Sequence, residues 1–121
     1  MQLNRGATTE GQQILSETQV ERMQARHFAN ADGLDGWAYG FATGARNGIT
    51  WIGHDGAWNG FCAQLVLHPE SKSGFFVVTN AECRLTTSLA IRDGLFNALW
   101  PRASVVQAAQ WPDADQRAQA A

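Results

Sequence analysis

The 121-residue sequence predicts an α+β domain, an antiparallel meander of about four strands with an N-terminal helix and a C-terminal helix. Three features carry that expectation: a capped apolar-periodic segment starting at Ser16, short strand-like runs separated by turn residues from Trp37 to Thr79, and a second periodic segment stopped by Pro101. The length fits one domain, which can bury roughly two-thirds of the surface its unfolded chain exposes. At 45% hydrophobic and 17% charged residues, the composition is that of a globular chain rather than a disordered one. The folded domain is expected over residues 1–101. Residues 102–121 form a polar Ala- and Gln-rich tail with little periodicity, expected to be poorly ordered.

Residues 3–13 are polar and contain glycine, and read as a helix end followed by a loop. Ser16 is a good N-cap, Gln19 occupies the capping-box position, and Leu15 and Val20 have the spacing of a hydrophobic staple. A helix then runs to about Arg26, with Val20, Met23 and His27 on one face. Residues 29–36 read as a loop. Trp37 to Ala42 alternates large and small residues, a strand pattern that puts Trp37, Tyr39 and Phe41 on one face. Asn47-Gly48 is a hairpin turn signal, with Ile49 to Ile52 as the returning strand. Phe61 to Leu67 and Phe75 to Thr79 are two further strands, apolar at almost every residue and so expected to be buried on both faces. Leu85 to Trp100 is helical, with Thr86, Thr87 or Ser88 as candidate caps.

Nine basic against eleven acidic residues leave a net charge of -2, which offers no electrostatic footprint for nucleic acid or anionic lipid. No apolar run approaches the roughly 20 residues that cross a bilayer. Residues 1–6 lack the apolar core of a secretory signal, so the cytoplasm is the default expectation. Cys62 and Cys83 are too few for a disulfide framework or a Cys-rich zinc site, and read as two small buried thiols. Cys62 opens one strand and Cys83 follows the next, so a bridge across the sheet stays open. His27, His54 and His68 have no metal-ligand spacing, and neither a metal nor a cofactor is expected.

The segment Gly53-His54-Asp55-Gly56-Ala57-Trp58-Asn59-Gly60-Phe61 concentrates polar residues and glycine between two strands. From residue types alone it is a tight loop, either one where the backbone approaches another molecule closely or a capped strand end with a solvated His-Asp pair. His54-Asp55-Gly56 resembles the third motif of the serine β-lactamase, esterase and D-Ala-D-Ala peptidase superfamily, written Lys-Thr-Gly or His-x-Gly. Residues 13–20 resemble that family's Leu-Leu-Ser helix start, Tyr39-Gly40-Phe41 its Tyr-Gly strand, and residues 69–80 its strand-turn-strand ending in Thr-Asn. The likeness spans roughly residues 3–100 in the family's order.

The resemblance implies a partial β-lactamase-like α/β domain in which this motif lies on the strand bordering the cleft. His54 would match the residue that recognises a substrate carboxylate or orients catalytic groups. Asp55 fills the variable middle position, and Gly56 would let substrate lie flat. The Ala57 N–H would match one of two oxyanion-hole donors, while Trp58 and Phe61 would line the cleft. The family also needs a Ser-x-x-Lys nucleophile and a Tyr-x-Asn or Ser-x-Asn partner. Lys72 is the only lysine and follows Pro69 by three, and Tyr39 is followed by Gly40-Phe41, so neither motif is present. Lys72-Ser73-Gly74 imitates the third motif but lies in a polar turn, and His68, Ser71 and Ser73 have nothing to orient them as a triad.

The expectation is therefore a truncated, non-catalytic fragment of a β-lactamase or penicillin-binding-like protein. Two alternatives stand beside it. One is part of a serine hydrolase site completed by missing sequence or another chain, and the other is a small-ligand-binding oligomer using Trp51, Trp58 and Phe61. Full-length members of the family are often exported. With its family partner strands missing, Phe75 to Thr79 would be an apolar unprotected edge. A homo-oligomer is expected, a dimer joined at that edge or through the uncovered sheet face.

Overall fold

The structure is a computed structural model that describes residues 8–9, 12–83 and 85–102. Its elements in chain order are β1 (Thr8–Thr9), β2 (Gln12–Gln13), α1 (Glu17–Gln24), β3 (Phe28–Ala29), β4 (Gly36–Trp37), β5 (Ala42–Arg46), β6 (Ile49–Trp58), β7 (Phe61–His68), β8 (Ser73–Thr79) and α2 (Leu85–Leu99). β1 and β2 pair as a small separate hairpin. The other six strands form one antiparallel sheet in sequence order, β3-β4-β5-β6-β7-β8. The expected meander of about four strands is thus corrected to six, because the two-residue strands β3 and β4 are too short to show any period in the sequence.

α1 starts where its capping signal sits. The Ser16 hydroxyl accepts from the Gln19 amide at 3.2 Å, and the Ser16 amide donates to Gln19 Oε1 at 2.8 Å. The helix ends at Gln24, two residues short of the expectation, where Ala25 turns extended and its amide donates to the Glu21 carbonyl. His27 accordingly leaves the helix. It is exposed, stacks on Tyr39 at 4.0 Å between ring centroids, and places Nε2 2.7 Å from the Arg22 carbonyl oxygen. The expected strand from Trp37 to Ala42 breaks after Trp37, since Gly40 takes a positive φ of 77° and the Ala38 amide turns back to the Phe41 carbonyl.

Asn47 and Gly48, both at positive φ, make the tight turn from β5 to β6, as a two-residue hairpin requires. Residues paired across the sheet share a face, so the register sorts the side chains into two sets. One set holds Arg46, Cys62, His68, Ser73 and Phe75, and α2 lies across it. The Ser88 hydroxyl donates to Cys62 Sγ at 3.5 Å, Arg46 pairs with Asp93, and Trp100 donates from Nε1 to Ser73 Oγ at 3.2 Å. Trp100 also closes an aromatic cluster with His68, Phe75 and Phe96. At the helix end, Asn47 Nδ2 donates to Asn97 Oδ1 and to the Trp100 carbonyl, tying the β5–β6 turn to α2.

The opposite set, called here the open face, is buried at Thr43, Thr50, Ile52 and Leu67 but exposed at His54, Trp58, Phe61, Phe76 and Val78. β8 is therefore not buried on both faces as its apolar sequence suggests: Phe76 is 66% exposed and Val78 49%. The candidate caps Thr86, Thr87 and Ser88 lie inside α2 rather than before it. The tail from residue 103 onward lies outside the described residues. No helix among the described residues is long and apolar enough to cross a membrane.

Cys62 and Cys83 are joined in a disulfide, with Cα atoms 4.9 Å apart, instead of standing as two thiols. The bridge ties the start of β7 to the segment that leads from β8 into α2, closing a loop of 21 residues. Constraining a loop of that length is worth about 3 kcal/mol. The Cys62→Ser/Cys83→Ser double variant is expected to unfold with a free energy lowered by about that amount in urea titration, and equal stability would assign the fold's cohesion to the sheet and α2 alone.

Candidate functional site

The third-motif residues stand on a strand, not in a loop. β6 continues without a break through Gly53-His54-Asp55-Gly56-Ala57 to Trp58, and the two-residue turn Asn59-Gly60 sends the chain back as β7. Glycine and aspartate are poor strand formers, so periodicity alone did not reveal this extension; pairing with β7 imposes it. The pairs are His54 with Leu65, Asp55 with Gln64, Gly56 with Ala63, Ala57 with Cys62 and Trp58 with Phe61.

β6 is paired on both sides only at Ile52 and Gly53. β5 covers it from Ile49, opposite Arg46, to Gly53, opposite Ala42, and goes no further. From His54 to Trp58 the strand has β7 on one side and no described strand on the other. Antiparallel pairs alternate between hydrogen-bonded and non-hydrogen-bonded types. The two-residue turn makes Trp58 and Phe61 a hydrogen-bonded pair, so Gly56 and His54 also direct their N–H and C=O toward β7. Asp55 and Ala57 therefore point theirs the other way, into the space that β5 leaves empty.

Gly56, on the same strand, is not required by the chain's own packing. A Cβ placed on Gly56 would meet only the Ala63 Cβ, at an ordinary 3.8 Å, whereas one on Gly53 would meet the Leu65 carbonyl oxygen at 2.4 Å. Gly53 is demanded by the sheet. Gly56 is not, and its open surroundings leave room for another molecule against the backbone.

The side chains divide between the two faces. His54 and Trp58 lie on the open face with Gly56, both exposed, Trp58 at 82%. Phe61, 54% exposed, stands beside Trp58 at the turn. Asp55 and Ala57 fall on the helix side of the sheet. There Asp35, Trp37, Trp51, Asp55 and Arg92 line a groove of about 320 Å³ that also reaches His54. Asp35, Trp37 and Arg92 were not singled out from the sequence, because cross-strand register and the lie of α2 bring them together. Trp51, expected as a ligand-facing aromatic, belongs to this groove rather than to the surface that carries Trp58 and Phe61.

The two imitations resolve as turn chemistry. Lys72 has a φ of 53° in the turn before β8, and its amide donates to the Pro69 carbonyl at 3.1 Å. Ser71 Oγ lies 2.5 Å from Ser73 Oγ and meets the His68 backbone carbonyl, not its ring. The His68 ring is buried edge-on against Trp100 with Nδ1 unpartnered among the described residues, so these three residues form no relay. Among the described residues no three His, Cys, Asp or Glu side chains gather as a metal site.

Substitution at the two glycines separates the two roles. Gly53→Ala is expected to cost more than about 2 kcal/mol through its clash with the Leu65 carbonyl, and Gly56→Ala to stay within about 0.5 kcal/mol of the parent. Equal losses in chemical denaturation would mean that Gly56 is also a packing glycine.

No curated protein matches the sequence. A solved structure titled "Crystal structure of SurE" is similar at 26% identity and a TM-score of 0.51, over 81% of this chain and 22% of that one. The chain thus spans about a fifth of that protein's length. The β-lactamase family model matches residues 2–93, a stretch that holds α1, the whole six-stranded sheet and the His54-Asp55-Gly56 motif, and the chain belongs to the β-lactamase family.

Proposed function

We propose that this chain supplies the strand wall of an acyl-binding cleft of the β-lactamase kind, and that it carries no nucleophile of its own. The observation that supports this most is the half-paired strand, where Asp55 and Ala57 offer N–H and C=O groups to a free edge beside an unencumbered Gly56. An extended acyl-amide substrate can add to such an edge by backbone pairing, as peptides add to exposed strands elsewhere. In that pose the Ala57 N–H points at the substrate carbonyl oxygen and supplies one donor for the charge that develops on attack. One such donor is worth about 100- to 1000-fold in kcat when a nucleophile is present. His54, on the open face two residues away, is placed to meet a substrate carboxylate, and Trp58 and Phe61 offer apolar surface to the substituent.

The sequence holds no Ser-x-x-Lys, so attack on the carbonyl has no activated hydroxyl to start from. The chain alone binds without turnover, and hydrolysis requires a serine and its base from residues outside this sequence. The Cys62–Cys83 bridge supports an oxidising compartment in place of the cytoplasmic default.

Two readouts on the purified 121-residue chain test the proposal. A chromogenic β-lactam and a short-chain nitrophenyl ester are expected to show no hydrolysis above buffer with either the parent or His54→Ala. In heteronuclear NMR, benzylpenicillin is expected to shift the Gly56 and Ala57 amides and to lose that effect in His54→Ala. Turnover that disappears in His54→Ala would place a nucleophile in this chain, and unmoved amides would remove the cleft wall.

A further inference from the structure

The singly paired stretch of β6 ends at the Asn59-Gly60 turn, and there a second segment of the chain comes alongside. β8 stops at Thr79, opposite Cys62, and the residues that follow it lead to Cys83. The Cys62–Cys83 bridge draws that segment against the start of β7. Cys62 is the register partner of Ala57, so the bridge sets Glu82, the residue before Cys83, beside the end of β6. Ala57, Trp58, Asn59, Gly60, Glu82 and Cys83 together line a groove of about 440 Å³.

Two side chains give this groove its chemistry. Among the described residues Glu82 is the one charged group on its lining, and it is exposed. Trp58 is almost wholly exposed, so its indole is not spent on packing within the chain. A carboxylate and an aromatic ring on one groove suit an organic cation. The ring attracts it through its electron-rich face, and the carboxylate supplies opposite charge and hydrogen-bond acceptors. The geometry points to a binding site for a primary ammonium group in this groove, held by Glu82 and Trp58.

The site extends the acyl-binding cleft proposed above, and the identity of the ligand that brings the ammonium group rests on that reading. His54 and Trp58 stand four residues apart on one strand, about 13 Å at 3.3 Å per residue. A ligand extended along this stretch with its carboxylate at His54 has its carbonyl at the Ala57 N–H and its acyl part at Trp58 and Glu82. The substrate class is then an amide whose acyl part carries a free amino group, in preference to the neutral acyl analogue.

Heteronuclear NMR titrations of the 121-residue chain test the site and the cleft separately. Phenethylammonium is expected to shift the Trp58 indole N–H and the Gly60 amide, while the neutral phenethyl alcohol leaves them in place. Glu82→Gln is expected to weaken that binding about five- to ten-fold, and salt at about 1 M to weaken it in the parent. Glu70→Gln removes an exposed carboxylate from the β7–β8 turn and is expected to change nothing. Both variants alter exposed side chains, and amide spectra unchanged elsewhere show that the fold is kept. Ampicillin, which is benzylpenicillin with an ammonium group on its acyl part, is expected to bind about five-fold tighter than benzylpenicillin, and Glu82→Gln to erase the difference. Equal shifts from the ammonium and the alcohol overturn the site, as does binding that Glu82→Gln leaves unchanged or that Glu70→Gln weakens equally. Ampicillin binding no tighter than benzylpenicillin overturns the assigned substrate class. Glu82-dependent binding of phenethylammonium beside unmoved Gly56 and Ala57 amides with benzylpenicillin upholds the ammonium site and removes the acyl cleft instead.

Discussion

The pairing of β6 is the constraint on which the rest of the structure depends. Where β5 and β7 both accompany it, at Ile52 and Gly53, β6 is an ordinary interior strand, with Ile52 fully buried and Gly53 pressed against the Leu65 carbonyl. Where β5 ends, at Ala42, the same strand continues with one side unpaired. From Ile52 to Trp58 it is held by an unbroken ladder to β7. A free edge that is nonetheless rigid is what recognition by backbone pairing needs, since the donors and acceptors are aimed before a ligand arrives.

The helix side of the sheet serves this arrangement by immobilising β7 and β8. α2 is fastened near its start by Ser88 against Cys62, in its middle by Asp93 against Arg46, and at its end by Trp100 among His68, Ser73 and Phe75. The disulfide adds a covalent tie at the end of β7 nearest the His54–Trp58 half of β6. Order therefore reaches the candidate site through β7, while the open face beyond it stays clear.

What could be read from the sequence was local chemistry, and what could not was pairing. The capping box at Ser16 and Gln19 and the Asn47-Gly48 turn are signals contained within four residues, and both stand in the structure where expected. The family resemblance likewise rests on short ordered stretches, and the family match bears it out. The strand through Gly53 to Trp58 read as a loop because its residue types disfavour extended pairing, and only the facing β7 overrides them. The two-residue strands β3 and β4 carry no period at all. The half-pairing of β6 was illegible for a related reason: it depends on where a neighbour stops, which is set by the reversal at Gly40 and not by β6 itself. The Cys62–Cys83 bridge depends on how the segment after β8 returns to β7, a distance that spacing along the chain does not report.

Residue-resolved amide hydrogen exchange tests the central claim most directly, that β6 is doubly paired at Ile52 and Gly53 and paired to β7 alone beyond them. The account predicts protection at every β6 amide from Trp51 to Gly53, then alternation, with Gly56 and Trp58 protected by β7 while Asp55 and Ala57 exchange at rates near those of open chain. Protection at Asp55 and Ala57 equal to that of their neighbours would mean that the edge is already occupied, and would contradict the account.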